Sequence, residues 1–209
     1  MRIHVTNHSK GTKMEGIQSI STSVLRNPIC QKRRKVCGGI CEHCYANALC
    51  RFRTSLNKNL SENFDALNSR LMTKAEAAVV PISTVYSRIE SFGDVASVTQ
   101  ARNYLRIIKG HRPLRFAIWS KNDGIWHAAF KKEGKPRNCT YVHSSMKVNE
   151  VDDIPEWMKP YVDHVFTVWD EDKYAQFAGG ETECAGIMCL TCVKCYKRGG
   201  PYHINEKLR

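Results

Sequence analysis

Seven of the ten cysteines in this chain fall into two groups, Cys37-x3-Cys41-x2-Cys44 and Cys184-x4-Cys189-x2-Cys192-x2-Cys195, and any fold must gather each group. What a cysteine group means depends on its compartment. A chain of 209 residues with 42% hydrophobic side chains can bury a full core and needs no disulfide staples. No apolar run approaches the roughly 18 to 20 residues that cross a bilayer. The opening MRIHVTNHSKGTK has no apolar h-region of a signal peptide. The expected location is therefore the cytoplasm, with no membrane partner. In that reducing compartment, clustered cysteines are read as metal ligands.

The spacings allow more than one centre. Three thiolates at Cys37, Cys41 and Cys44 can hold three corners of an iron-sulfur cube and leave the fourth iron open. Cys184, Cys189, Cys192 and Cys195 are enough to close either a 4Fe-4S cluster or a tetrahedral zinc site. Cys30 and Cys50 flank the first group closely enough to supply a fourth ligand, and Cys139 reads as a buried thiol. A rival arrangement joins Cys41-x2-Cys44 with Cys192-x2-Cys195 as one pair of zinc knuckles.

The net charge of +12 is concentrated at one end. Residues 1 to 60 hold eleven Lys or Arg against Glu15 and Glu42, whereas 150 to 172 carries eight carboxylates. Lys32-Arg33-Arg34-Lys35 stands directly before the first cysteine group, where it could contact nucleic-acid phosphates, offset thiolate charge, or form a solvated loop.

Short β-prone runs alternate with helical patterns. Strands are expected within Gly16 to Ser23 and Ser83 to Ile89, and at Arg115 to Trp119, Thr140 to His143 and His164 to Trp169. Leu60, Phe64, Leu67 and Leu71 make one helical face with Ser61 as its cap; Val98, Ala101, Leu105 and Ile108 make another. A third, shorter helix is expected around Ile125 to Phe130, closed by Gly134. This alternation predicts one α/β domain: a partial (β/α) barrel or an open, mainly parallel sheet. Residues 1 to 50 would form a basic strand and cysteine loop, 51 to 178 the βα units, and 179 to 209 a terminal cysteine segment. Working groups in such folds sit on loops at the carboxyl ends of strands. Here those loops are Glu90 to Asp94, Ser120 to Asp123, His143 to Ser145 and Asp170 to Asp172. Lys121 and His143 are the candidate substrate-facing residues.

The segment Cys37-Gly-Gly-Ile-Cys41-Glu-His-Cys44 resembles the CxxxCxxC signature of the radical SAM superfamily, placed as there after the first strand of an α/β partial barrel. The resemblance implies a 4Fe-4S cluster whose open iron binds S-adenosylmethionine (SAM) for reductive cleavage, and a reductant protein as partner. Glu90, Gly93 and Asp94 would fall where that superfamily contacts the cofactor, with His43 in the usually aromatic position before the last cysteine. Asn7-His-Ser-Lys10, Lys13, Gly16 to Thr22, Cys44-Tyr-Ala46, Arg88 to Asp94 and the terminal cysteines together also resemble a family of cysteine-rich phage proteins. That likeness implies iron-sulfur binding and a phage source, hence the cytoplasm of an infected host cell.

Two classes of function follow. One is a radical-type enzyme with an auxiliary cluster at Cys184, Cys189, Cys192 and Cys195. The other is a metal-stabilised module, zinc or iron-sulfur, that binds nucleic acid or a host factor without catalysis.

Overall fold

A computed structural model describes residues 1–184 and 186–208. Its frame is one sheet of strands β1 (Thr6–Asn7), β2 (Gln18–Ile20), β3 (Tyr86–Ile89), β4 (Arg115–Ser120), β5 (Cys139–Ser144), β6 (His164–Trp169) and β7 (His203–Lys207). The spatial order is the chain order. β1 pairs antiparallel to β2, and every later pair is parallel. A parallel sheet that never reverses its order, joined by right-handed crossovers, carries its helices on one face, which is the winding of a partial barrel. The expected α/β class with an open, mainly parallel sheet is what the chain adopts.

The helices are α1 (Pro28–Arg33), α2 (Tyr45–Phe52), α3 (Thr54–Ser69), α4 (Lys74–Ala78), α5 (Val98–Gly110), α6 (Asp123–Glu133), α7 (Glu171–Tyr174) and α8 (Cys189–Cys192). The main core lies between one sheet face and this layer: Ile20, Ile89, Phe116, Ile118 and Tyr141 meet Leu67, Tyr104, Leu105, Ile108, Trp126 and Phe130. The apolar stripe on α5 stands where the spacing places it, with Ser97 capping the first turn by accepting from Gln100 N. α6 ends at Gly134, whose φ of +72° suits a residue without a side chain.

Two expectations about elements are corrected, and one connection departs from the βα alternation. The helix expected to be capped at Ser61 begins at Thr54, so Ser61 lies inside it; polar residues between Thr54 and Asn59 hide its first turns from an apolar-stripe reading. The terminal segment is more than a cysteine site, because its β7 completes the sheet by burying Ile204 and Asn205 against β6. The crossover from β5 to β6 has only a 3₁₀ turn at Lys159–Tyr161 in place of a helix.

The opposite face is built differently. Arg88, Trp119, Val142, Phe166 and Ile204 alternate with the helix-facing residues, and the apolar ones pack with Cys184 and Cys195 from the chain between β6 and β7. The terminal cysteine segment thus takes the place on this face that helices take on the other. Among the described residues no helix is long and apolar enough to cross a membrane.

Candidate metal centre

The first cysteine group sits over the carboxyl ends of β2 to β5. α1 is capped by Asn27, which accepts from Ile29 N and Cys30 N and donates from its side chain to the Asp94 carbonyl at 2.6 Å. Arg33, the last residue of α1, reaches back across the sheet end, donating to Asp94 (3.1 Å), to the Lys121 carbonyl (2.9 Å) and to Asn122 Oδ1 (2.6 Å). The loop then turns at Gly38, φ +73°. It docks on the β5–β6 connection, with Ile40 N donating to Met146 O at 2.8 Å and Gly39 bridging to Lys147. Cys41 lies in a 3₁₀ turn, Ile40–His43, and Cys44 is the N-cap residue of α2, where the helix dipole favours negative charge.

Burial pushes the Cys41 thiol up, and the Lys121 and Arg33 cations pull it partly back. Cys37 is exposed on the loop, and so is His43. Cys30 packs with Cys44 beside the small core of Val24, Ala46, Cys50 and Leu60. Burial holds its thiol well above the usual range, and the charges of Asp94, Glu90, Cys41 and Cys44 add to that rise. Cys50 and Cys139 are core residues, and Cys139 donates to the Pro136 carbonyl.

The acidic strand-end residues hold this rim together from inside. Glu90, at φ +58° and 2% exposed, accepts from Thr22 N (3.0 Å), Thr22 Oγ1 (2.8 Å), Gln100 Nε2 (2.8 Å) and Tyr104 OH (2.6 Å). Burial lifts its carboxyl to about 7 against the pull of those donors. Asp94 accepts from Val95 N, Ser120 Oγ, Arg33 and Lys121 N, two donors on each oxygen. Gly93 is required by close approach: a Cβ there would lie 2.6 Å from the Thr22 carbonyl oxygen.

Lys121 donates to Ser144 Oγ at 2.7 Å on the face away from the helices. His143 is not beside it in function, because alternation along β5 puts its ring on the side of Tyr141. There its two nitrogens face Asp123 (2.9 Å) and Asp152 (3.0 Å), and Tyr141 OH donates to the same Asp123. Asp152 also accepts from Met146 N, the residue whose carbonyl holds Ile40. His143 is thus a clamp on the connection that carries the cysteine loop.

Burial disfavours the imidazolium of His143, but Asp123 and Asp152 outweigh it and raise its pKa above 6.5. A raised pKa contributes stability in full below the unfolded value, and that contribution drains away as pH rises through the folded value. His143→Gln is therefore expected to cost most near about pH 5 and progressively less above neutrality, by about 1.4 kcal/mol for each tenfold gain in proton affinity on folding. Urea midpoints of both proteins across this range measure it; a difference independent of pH would mean the ring acts by packing alone.

The second cysteine group lines a cavity of about 230 Å³ on the sheet face opposite α3, α5 and α6, together with Lys13, Met14, Arg88, Trp119, Glu183 and Tyr196. Lys13 fastens the segment at two points: its carbonyl accepts from Cys189 N (2.8 Å), and its Nζ donates to Cys184 Sγ (2.9 Å) and Glu206 (2.6 Å). Val193 adopts φ +46°, ψ +13°, a costly conformation for a β-branched residue, and this reversal turns Cys192 and Cys195 toward the same cavity. Cys195 is raised to about 12 by burial first, then by the charges of Cys184, Cys189 and Cys192, with Arg88 opposing. Cys184 and Cys189 are raised by burial in the same way.

No cysteine of the first group lines this cavity. The shared zinc-knuckle arrangement is therefore corrected, because one group is held at the strand ends and the other against the sheet face. Among the described residues no three His, Cys, Asp or Glu side chains converge on a point the size of a single ion. The donor chemistry nevertheless fits a thiolate-ligated centre: four partly buried thiols around one space, with three cations in its wall, Lys13, Arg88 and Lys194.

Sequence reasoning named Arg33 only as one of a basic run that could offset thiolate charge, and missed Lys13, Arg88 and Trp119 as parts of the second site. A charged residue within the β-prone run Tyr86–Ile89 was the available signal for Arg88; Lys13 carries none. Of the four basic residues before Cys37, Arg33 is turned inward, while Lys32 and Lys35 stay exposed.

An α/β protein with two cysteine-lined sites on one parallel sheet is the class that these observations define. A family model described as Gene product 88 matches residues 4–207, nearly the whole chain, and the chain belongs to that phage-type family. No radical SAM family model matches. Comparison with curated proteins and with solved structures gave no match.

Proposed function

We propose that this protein is an iron-sulfur enzyme of the radical SAM type, in which Cys37, Cys41 and Cys44 hold the catalytic 4Fe-4S cluster and Cys184, Cys189, Cys192 and Cys195 an auxiliary one. The observation that carries this reading is one of placement. A CxxxCxxC loop follows the first parallel strand of a sheet wound in one direction, and it lies over the strand ends where such sheets do their chemistry. When bound, the open-iron cluster would supply one-electron reductive cleavage of SAM.

The chain's own residues then divide the work. Gly38 lets the loop turn tightly around the thiols. Asp94 does not reach outward, since its four acceptor positions are filled; it acts by holding Arg33 and the Lys121 backbone at fixed places below the loop. Glu90 ties β3 to Thr22 and α5 from beneath. Lys121 presents its ammonium between Ser144 and Cys41, where it offsets thiolate charge on the sheet face opposite α3, α5 and α6. His143 holds the β5–β6 connection and does not face substrate. Because burial raises Cys41, Cys184, Cys189 and Cys195, metal uptake must drive protons off these thiols, so loading should improve as pH rises.

The test is anaerobic purification followed by iron, acid-labile sulfide and zinc analysis, then incubation with SAM and dithionite. Brown protein whose reduced-cluster spectrum changes on adding SAM, with 5'-deoxyadenosine formed slowly, is the expected result. Colourless protein with stoichiometric zinc and no sulfide would remove the enzyme reading. A cluster indifferent to SAM would mean that the fourth iron is capped, with Cys30 and Cys50 the thiols that share a small core with Cys44.

A further inference from the structure

The wall of the cavity bounded by the terminal cysteines carries three cations: Lys13, Arg88 and Lys194, the last donating from Nζ to the Glu183 carbonyl at 3.0 Å. Lys13 is matched by Glu206 at 2.6 Å. Arg88 forms no salt bridge among the described residues, its Nε is buried without any hydrogen-bond acceptor, and its side chain makes a long contact of 3.9 Å from Nη1 to the Met14 sulfur. The guanidinium is held over the Trp119 ring, 4.0 Å from its centre, so it is fixed in place rather than trailing into solvent. Arg88 is half-buried, and an Nε shielded from water without an acceptor is costly unless an anion meets it.

We infer that Arg88 is the charge and hydrogen-bond partner of the occupant of the four-cysteine cavity, and that the cavity is built for an iron-sulfur cube rather than for one metal ion. This deepens the assignment of an auxiliary cluster and rests on it. One observation favours a cube over a single ion, and a second bears on Arg88. A single tetrahedral zinc would draw its four sulfurs to within about 3.8 Å of one another, given Zn–S bonds of about 2.3 Å. A single ion would fill only the space between those sulfurs, whereas the four cysteines share the wall of an open pocket of about 230 Å³, which has room for a cube. The second observation is the wall itself. Four thiolates leave any such centre negative, and the potential of a cluster is set by net charge, hydrogen bonds to sulfur and exposure. Arg88 supplies a positive charge and an Nε donor with no partner among the described residues.

The experiment uses the full chain carrying Cys37→Ala, Cys41→Ala and Cys44→Ala, so that signals report the terminal site alone, reconstituted anaerobically with iron and sulfide. Iron and sulfide at about four each per chain are expected. Potentiometric titration with dithionite then compares this parent with versions that add Arg88→Gln or Arg88→Lys. Removing the positive charge disfavours the more negative reduced form. Arg88→Gln should therefore shift the one-electron equilibrium against reduction at least tenfold, about 59 mV lower. Arg88→Lys keeps the charge and should shift far less.

Equal potentials in all three proteins at equal iron content would overturn the role of Arg88. Zinc without sulfide at the terminal site would overturn the cube. If Arg88→Gln fails to fold by circular dichroism, the Arg88→Lys comparison still decides, because a lysine at full iron content with a potential moved as far as tenfold would contradict a charge effect. A wild-type chain that takes up no iron at either group defeats the function proposed above; one that takes iron only at the first group defeats this inference alone.

Discussion

Asp94→Ala is expected to lower the stability of the protein by about 3–5 kcal/mol, the usual range for breaking a buried ion pair from one side. Asp94 is 6% exposed, and its carboxylate receives two backbone N–H groups, the Ser120 hydroxyl and the Arg33 guanidinium. Alanine leaves Lys121 N without an acceptor and Arg33 with only neutral oxygens, from Lys121 and Asn122. Arg33 is also the last residue of α1, directly ahead of the first cysteine group. Loosening it should cut metal loading at Cys37, Cys41 and Cys44 while leaving the terminal group loaded. Asp94→Asn should be nearly as damaging, since its amide must point hydrogens at either Arg33 or a backbone N–H. Urea denaturation and iron content measure the two effects. A loss under about 1 kcal/mol with full loading would show that Asp94 is dispensable to the rim.

The double replacement Cys189→Ala and Cys192→Ala is expected to act on the other side of the sheet and to act through metal. Structural metal centres contribute binding energy as folding energy, on the order of 10 kcal/mol for thiolate sites in small peptides. In this chain the loss should fall on the segment that the centre holds. Residues 179–200 should become open to protease, and amide protons of β7 should exchange faster, because that edge strand is backed by Cys184 through the pairing of Cys184 N with Asn205 O. Strands β2 to β5, packed under α3, α5 and α6, should keep their protection. Metal at the first group should survive. A folded double variant that has lost all its metal would instead require one site shared between the groups, against the separation described above.

Part of this was legible from residue order alone, for a physical reason. Alternation with period two and stripes with period 3.6 are local, so β3 to β6, α5 and α6 can be read directly from the sequence. The start of the 16-residue helix α3 cannot, because burial there is confined to Leu60, Asn63 and Leu67, and its first turn is held by no apolar stripe. β7 is hidden because a five-residue edge strand, His-Ile-Asn-Glu-Lys, has little hydrophobic signal and forms only when β6 is beside it.

The division at the sites follows the same line. The sequence by itself determined the two cysteine groups, their internal spacing, the βα alternation that makes the sheet parallel, and the polar strand ends that form its rim. Those are properties of neighbours in the chain. Only the tertiary structure decided that the two groups stay apart, that Asp94 and Glu90 spend their carboxylates on internal donors, that His143 faces Asp123 and Asp152 away from Lys121, and that Cys30 comes beside Cys44. Only it could show Arg88 laid on Trp119 and aimed at the terminal cysteines. Each of these depends on strand register and on which face a crossover covers. They are set by packing between distant segments, such as Lys13 and Glu206, 193 residues apart, and no local pattern records them.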